Sequence, residues 1–431
     1  MKEYLKRIAD EELEFRLETF GAVQIDGPKW CGKTTTAEMK AKSVLKLQEK
    51  IDEEPGFLEM AKARPRSLLE GDKPRLLDEW QLVPALRDAV RTDADKRSIP
   101  GLYILTGSNS VDESKVKHSG IGRITRMKMY PMSLFESGES SGKASLKSLF
   151  ENPRQEIATS DSELSIENLA FALCRGGWPY SLSLQSDKSK LFIAKDYLAG
   201  LCNVEISTVD GVKRDAASAR LLVRSYARHV SEPATFTSIM EDMESRPVIK
   251  SDKTLGEYLG AFEKLYVIED IPAWCPAIRS KTAIRSGVKR EFTDPSIATA
   301  ALGIGPDALL KDMRTFGFMF ENLVARDLKV YSSLINGSLS YYRDRYGLEA
   351  DFTIHLDDGR FALVECKLGS HQIEQGAAHL IEIRNLIRKA NERQSQAPLK
   401  EPDLMMVITG GKYAYKREDG VFVIPIGVLG P

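Results

Sequence analysis

The chain has 431 residues, 42% of them hydrophobic and 29% charged, which is too long for a single core and excludes collagen-like, mucin-like or wholly disordered polymers. Its 61 Lys and Arg against 62 Asp and Glu leave a formal charge of -1, so any affinity for nucleic acid must come from local patches. The five cysteines, Cys31, Cys174, Cys202, Cys275 and Cys366, form no C-x-x-C pair, which excludes a disulfide framework and a thiolate zinc site.

The opening MKEYLKRIADEELEFRL lacks the apolar stretch of a signal peptide, and no apolar run reaches the length of a membrane span, so a cytoplasmic chain with no membrane contact is expected. Apolar spacing predicts a helix over 3–19, a buried strand over Gly21 to Asp26, a helix over Lys33 to Lys50 and a short strand over Leu76 to Trp80. A helix over Val83 to Asp95 and a strand over Leu102 to Ser108 follow. This alternation predicts an α/β fold with a parallel sheet. The Ser/Gly-rich SGESSGKAS after Glu136 marks a boundary, 165–265 reads as helical, and from Ser332 strands return, with a turn at Asp357 to Gly359. The histidines His118, His229, His355, His371 and His379 show no H-E-x-x-H spacing, so a metal would have to be held by carboxylates.

GPKWCGKT, residues Gly27 to Thr34, fits G-x-x-x-x-G-K-[ST] between a strand and a helix, the setting in which backbone N–H groups and a helix N-terminus cradle phosphates. Gly27, Pro28, Lys29, Trp30, Cys31, Gly32, Lys33, Thr34 and Thr35 are the expected ATP-binding residues. Lys33 would reach the β and γ phosphates and Thr34 would ligate Mg²⁺. Cys31 reads as a bystander thiol. In LLDEW, Asp78 is expected on the Mg²⁺ water shell and Glu79 on the attacking water. LTGSNS offers Ser108 or Asn109 to the γ-phosphate or the water. Arg123 and Arg126 could supply positive charge, in cis or from a neighbouring subunit.

GPKWCGKT, LLDEWQLVP, LTGSNS, GRITRMKMYPMSLFE and RGGWP (Arg175 to Pro179) together resemble the prokaryotic AAA-type ATPases that join an N-terminal P-loop domain to a C-terminal domain of unknown function. The resemblance implies an AAA-like parallel sheet, a winged-helix segment after it and a C-terminal fold related to PD-(D/E)XK nucleases; the expected bounds are 1–137 for the AAA-like domain, 138–210 for a helical linker or lid, 211–275 for the winged helix-turn-helix and 276–431 for the α+β nuclease-like domain. It also implies ATP on Gly27 to Thr34, Mg²⁺ on Thr34 and Asp78, the water-activating acid at Glu79, and the sensor at Ser108 or Asn109.

In the helical middle, Ser251 or Asp252 suits an N-cap, and Leu255, Leu259, Phe262 and Leu265 form an apolar stripe. The expected outer face, Lys253, Glu257, Tyr258 and Lys264, is sparse in positive charge, so protein packing competes with DNA binding there. The basic set Arg279, Lys281, Arg285, Lys289 and Arg290, five basic residues with no acid among them, is a better candidate for DNA contact, with a solvated loop as its commonest explanation. In the last domain a hairpin pivoting at Asp358 places Asp351 across from Glu365, about 5 Å apart, with Lys367 on the same face. Glu321 could add a carboxylate. Such a cluster could hold Mg²⁺ for phosphodiester cleavage, or remain a cross-strand charge cluster in a binding domain. The expected protein is thus an ATP-hydrolysing switch or motor on or near DNA, alone or as a homo-oligomer or with another protein. The alternative is a nucleotide-gated scaffold that recognises a partner and cuts nothing.

Overall fold

The computed structural model describes residues 4–107, 122–157, 160–243, 249, 251–277, 287–393 and 398–431. The chain divides into two compact units. The first comprises Met1–Pro131, Glu205–Lys213 and Ala261–Tyr266; the second comprises Met132–Val204, Arg214–Gly260 and Val267–Pro431.

The first unit is built on β1 (Ala22–Asp26), β2 (Ser43–Lys46), β3 (Arg75–Asp78), β4 (Tyr103–Thr106) and β5 (Ile124–Lys128). They form one parallel sheet in the order β2-β3-β4-β1-β5. The connecting helices are α1 (Ala9–Thr19), α2 (Lys33–Lys40), α3 (Leu47–Glu53), α4 (Phe57–Ala63) and α5 (Ala85–Arg97). Apolar side chains cover both faces: Leu13, Leu17, Val23, Ile25 and Leu76 on one, Leu77, Leu86, Val90, Tyr103 and Leu105 on the other. Burial on both faces is why these strands read as short apolar runs. The single helix expected over Lys33 to Lys50 is interrupted. α2 ends at Lys40, and β2 adds an edge strand in which only Leu45 is buried. With one buried residue in four, β2 has no alternation to reveal it.

The second unit carries the order β7-β12-β13-β11-β10-β9-β8, with β6 (Ala144–Ser145) paired to β14 (Leu429–Gly430). Its strands are β7 (Ser160–Asp161), β8 (Ser338–Arg343), β9 (Glu349–His355), β10 (Phe361–Lys367), β11 (Leu404–Thr409), β12 (Tyr413–Lys416) and β13 (Phe422–Pro425). β9 and β10 are antiparallel, whereas β10, β11 and β13 run parallel. The Ile373–Arg393 helix packs Ala377, Leu380, Ile383 and Ile387 against Leu363, Met405, Val407 and Val423, a helical spacing laid on one sheet face.

RGGWP is a packing device within the second unit. Gly177 donates its N–H to Asp294 at 2.9 Å and accepts from the Met132 N–H at 2.7 Å, and a Cβ there would strike the Met132 backbone. Arg175, 4% exposed, bonds Glu139. Asp294 also accepts from Arg326 at 3.0 Å, Arg326 bonds Asp327, and Asp327 accepts from the Leu134 N–H at 3.0 Å. Burial costs each of these charges its water, and the mutual bonds offset that cost.

The Ala216–Arg228, Phe236–Glu241 and Asp252–Lys264 helices are followed by antiparallel bridges Ile268↔Phe292 and Ile271↔Lys289. Ser251 caps the last helix by accepting from the Thr254 N–H at 3.2 Å. Leu255, Leu259, Phe262 and Leu265 are all buried, as the stripe predicts. Tyr258, expected on the outer face, is 6% exposed instead, its hydroxyl accepting from the Asp215 N–H. Arg279, Lys281 and Arg285 lie outside the described residues. Lys289 and Arg290 are not solvated; they are 1% and 7% exposed.

Candidate functional site

Gly27–Thr34 follows β1 and opens α2 at the C-terminal end of the parallel sheet. Gly27 and Gly32 have φ of 150° and 105°, and Trp30 has φ of 67°, conformations that turn successive N–H groups to one side. A Cβ on Gly27 would run into the Met129 carbonyl. Lys33, 7% exposed, donates to the Gly27 and Pro28 carbonyls at 2.8 and 2.7 Å. Its ammonium is therefore held by neutral oxygens that an anion can replace without leaving a charge unpaired. Pro28 and Cys31 are buried, Trp30 is half exposed, and Thr35 is exposed. Cys31 is 0% exposed. Lys29 pairs with Glu205 at 2.7 Å. The loop has a brace that the motif did not reveal: Arg7, 4% exposed, donates to the Cys31 carbonyl at 2.6 Å and to the Tyr130 carbonyl at 2.8 Å. Its only sequence signal is an arginine in an otherwise ordinary charged segment.

Asp78 ends β3 beside the loop. Its Oδ1 accepts from Thr34 Oγ1 at 2.9 Å and from Thr106 Oγ1 at 2.6 Å. Thr106 belongs to β4, which lies between β1 and β3, and so pins the acid from the strand between. A hydroxyl and a carboxylate side by side are hard oxygen donors and suit Mg²⁺ held jointly with nucleotide phosphates. Glu79 has φ of 54°, a left-handed conformation that costs a non-glycine residue of order 1 kcal/mol and collects at functional sites. Gln81 donates to its carboxylate. Asp26, just before the loop, has its carboxyl pushed up by burial, with Gln24 and Arg126 pulling it back.

The other site expectations fare differently. Ser108 and Asn109 lie outside the described residues. Arg123 precedes β5, whose Ile124 pairs with Ala22 at the start of β1 and whose Lys128 pairs with Asp26 at its end, so it stands five strand steps, roughly 16 Å, from the loop end. It bonds Asp95 at 2.7 Å. Strand direction thus sets Arg123 at the end of β5 away from the loop. Arg126 is nearer, with Nε 3.8 Å from Asp26.

In the second unit, β9 and β10 pair as Ala362↔Ile354 and Val364↔Phe352, the register that sets Glu365 against Asp351. Asp351 Oδ2 accepts from the Cys366 N–H at 2.7 Å. Lys367 Nζ stands 2.6 Å from Glu365 and 4.0 Å from Asp351, and His379 Nδ1 stands 3.6 Å from Glu365. Burial and the Asp351 charge push the Glu365 carboxyl up to about 8, against the pull of Lys367. The thiol of Cys366 is also pushed up, chiefly by burial. Glu321, on the Met313–Ser332 helix, reaches the same point. The pattern did not anticipate Lys289. Its Nζ lies 2.7 Å from Glu321, 3.1 Å from Glu349 and 3.9 Å from Asp351. These groups line a cavity of about 600 Å³ that Arg343, His229 and His379 also border. Among the described residues, no three His, Cys, Asp or Glu side chains are grouped to hold a metal ion.

Comparison with known proteins fits this geometry. Residues 19–137 match the family described as AAA domain, 166–308 match the domain of unknown function DUF8612, and 316–429 match the domain of unknown function DUF4143. The chain is 20% identical over 424 residues to the uncharacterized proteins Rv2008c of Mycobacterium tuberculosis and Mb2031c of Mycobacterium bovis, which covers 97% of this chain and 83% of theirs. The Walker-type ATPase PABY2304 of Pyrococcus abyssi aligns at a TM-score of 0.43 with 14% identity, over 69% of this chain and 96% of its own. Among the described residues no helix is long and apolar enough to cross a membrane. The N-terminal part of the chain thus matches an AAA domain that spans the Gly27–Thr34 loop, and the C-terminal part matches DUF4143.

Proposed function

We propose that the chain binds ATP on Gly27–Thr35 and hydrolyses it with Mg²⁺ as a cytoplasmic switch or motor. The observation that carries this reading is Lys33 held by two loop carbonyls while Thr34 and Asp78 meet 2.9 Å apart. Lys33 and the loop amides stabilise charge on the phosphates. Mg²⁺, held by Thr34 and Asp78, neutralises phosphate charge. Glu79 orients the attacking water from its position at the end of β3, steadied by Gln81. Ser108 or Asn109 contacts the γ-phosphate, and Arg123 serves only if a neighbouring subunit presents it. A Glu79→Gln variant is expected to retain ATP and lose turnover at least about a hundredfold. Turnover at the wild-type rate, measured as phosphate release, would remove Glu79 from the mechanism.

The finer reading adds action on or near DNA, a winged helix over 211–275 and a nuclease-related domain over 276–431. Three helices followed by a pair of antiparallel bridges support the winged helix. The hairpin bearing Asp351, Glu365 and Lys367 supports the nuclease relation. A specific observation favours the second reading, a nucleotide-gated scaffold that binds a partner without cleavage: Lys289 lies among the carboxylates. The outer face of the Asp252–Lys264 helix favours it too, since exposed Asp252, Glu257 and Glu263 balance Lys253 and Lys264, leaving little to attract phosphates. Plasmid incubated with protein, ATP and Mg²⁺ or Mn²⁺ should stay intact; nicking that disappears in Asp351→Ala restores the nuclease reading.

A further inference from the structure

Nuclease-type metal sites require open carboxylate oxygens at about 2.0–2.1 Å from a small divalent ion. The oxygens that could serve here already face an ammonium. Lys289 is 1% exposed; its Nζ donates to Glu321 at 2.7 Å and to the Asp351 carbonyl at 3.1 Å, and the Glu349 carboxylate stands 3.1 Å away, so two of the three N–H groups of the ammonium are bonded and a second carboxylate lies against it. The rings of Phe352 and Tyr341 stand 5.3 and 5.5 Å away, adding cation–π attraction. This lysine is not on a loose tail. Its N–H donates to Ile271 at 2.9 Å and its carbonyl accepts from Ile271 at 2.8 Å, so its backbone is anchored on both sides of the side chain. Three acids surround this ammonium, Glu321, Glu349 and Asp351 at 2.7, 3.1 and 3.9 Å, so its charge is balanced where it sits. A divalent ion beside it would face a buried like charge.

We propose that Lys289 is the built-in counter-ion of this cluster and stands in the place of a divalent metal, so that the C-terminal domain takes up neither Mg²⁺ nor Mn²⁺ through Asp351 and Glu365. This rests on reading those two acids as a nuclease-type pair, and it makes the domain a binding module with a fixed internal cation.

The test is Mn²⁺ binding to the full chain without nucleotide, read by electron paramagnetic resonance, with phosphate release from ATP followed in parallel. Wild type is expected to show no Mn²⁺ uptake that Asp351→Asn removes. Lys289→Met is expected to bind one Mn²⁺ about tenfold or more tighter than wild type, and Lys289→Met with Asp351→Asn is expected to lose it. If Lys289→Met does not fold, Lys289→Met with Glu321→Gln removes a cation and an anion together and should show the same gain. Wild-type Mn²⁺ binding abolished by Asp351→Asn overturns the proposal, as does a folded Lys289 variant with no gain. Absent ATP turnover in wild type would defeat the ATPase reading alone, because the Mn²⁺ measurement needs no nucleotide.

Discussion

Two buried lysines separate the two units more sharply than their folds do. Lys33 and Lys289 are 7% and 1% exposed, yet one is bonded to carbonyls and the other to carboxylates. A carbonyl loses little when a phosphate takes its partner, so Lys33 is available to a ligand. A carboxylate stripped of its ammonium is left as a buried, unpaired anion, so Lys289 is committed to the fold. Burial alone does not mark a functional lysine; the charge of the groups that hold it does.

The sharpest way to break this comparison is to remove each lysine in turn. Lys289→Met is expected to lose about 3–5 kcal/mol of stability. Lys33→Ala is expected to stay within about 1 kcal/mol of wild type while losing ATP binding. Thermal unfolding and binding of labelled ATP check both arms, and equal stability losses would erase the distinction.

A smaller effect concerns Glu291, two residues beyond Lys289 and 0% exposed. Burial pushes its carboxyl from the ordinary 4.5 up to about 7, with Lys289 and Lys329 pulling it back. Between those values the native chain holds a proton that the unfolded chain has released, so this group's contribution to stability is full below about 4.5 and declines as pH rises toward 7. Glu291→Gln should flatten that part of the melting temperature profile; an unchanged slope would show that the carboxyl ionises normally. The smallest effect is expected from Arg123→Ala. With its surface partner Asp95, it should shift stability by less than about 0.5 kcal/mol and leave turnover per chain unchanged in dilute solution. A loss that appears only at high protein concentration would place Arg123 in a neighbour's site.

The sequence made the phosphate-binding loop legible because the motif is contiguous and its flanks are local. The β9–β10 register was legible for a similar reason: a short turn at Asp357 to Gly359 fixes which residues oppose each other. Strand order was not: nothing near Arg123 says that the strand it precedes lies beside β1 and starts level with it, at the end away from the loop. Lys289 was hidden for a related reason. It lies 62 residues before Asp351 in a run of basic residues, and only the tertiary path of the chain brings it under the carboxylates. Tyr258 sat on the wrong face of an otherwise well-read helix because a hydroxyl can satisfy a backbone N–H while the ring is buried.

The Lys29 to Glu205 pair spans 176 residues, and its acid belongs to a segment that returns to the first unit long after the AAA match stops at residue 137. A gene fragment cut at that stop keeps the whole sheet but codes for a first unit lacking two of its own pieces, 205–213 and 261–266. Dissection by truncation would therefore remove part of the nucleotide unit together with the C-terminal half, and loss of activity in such a fragment would say nothing about the role of that half.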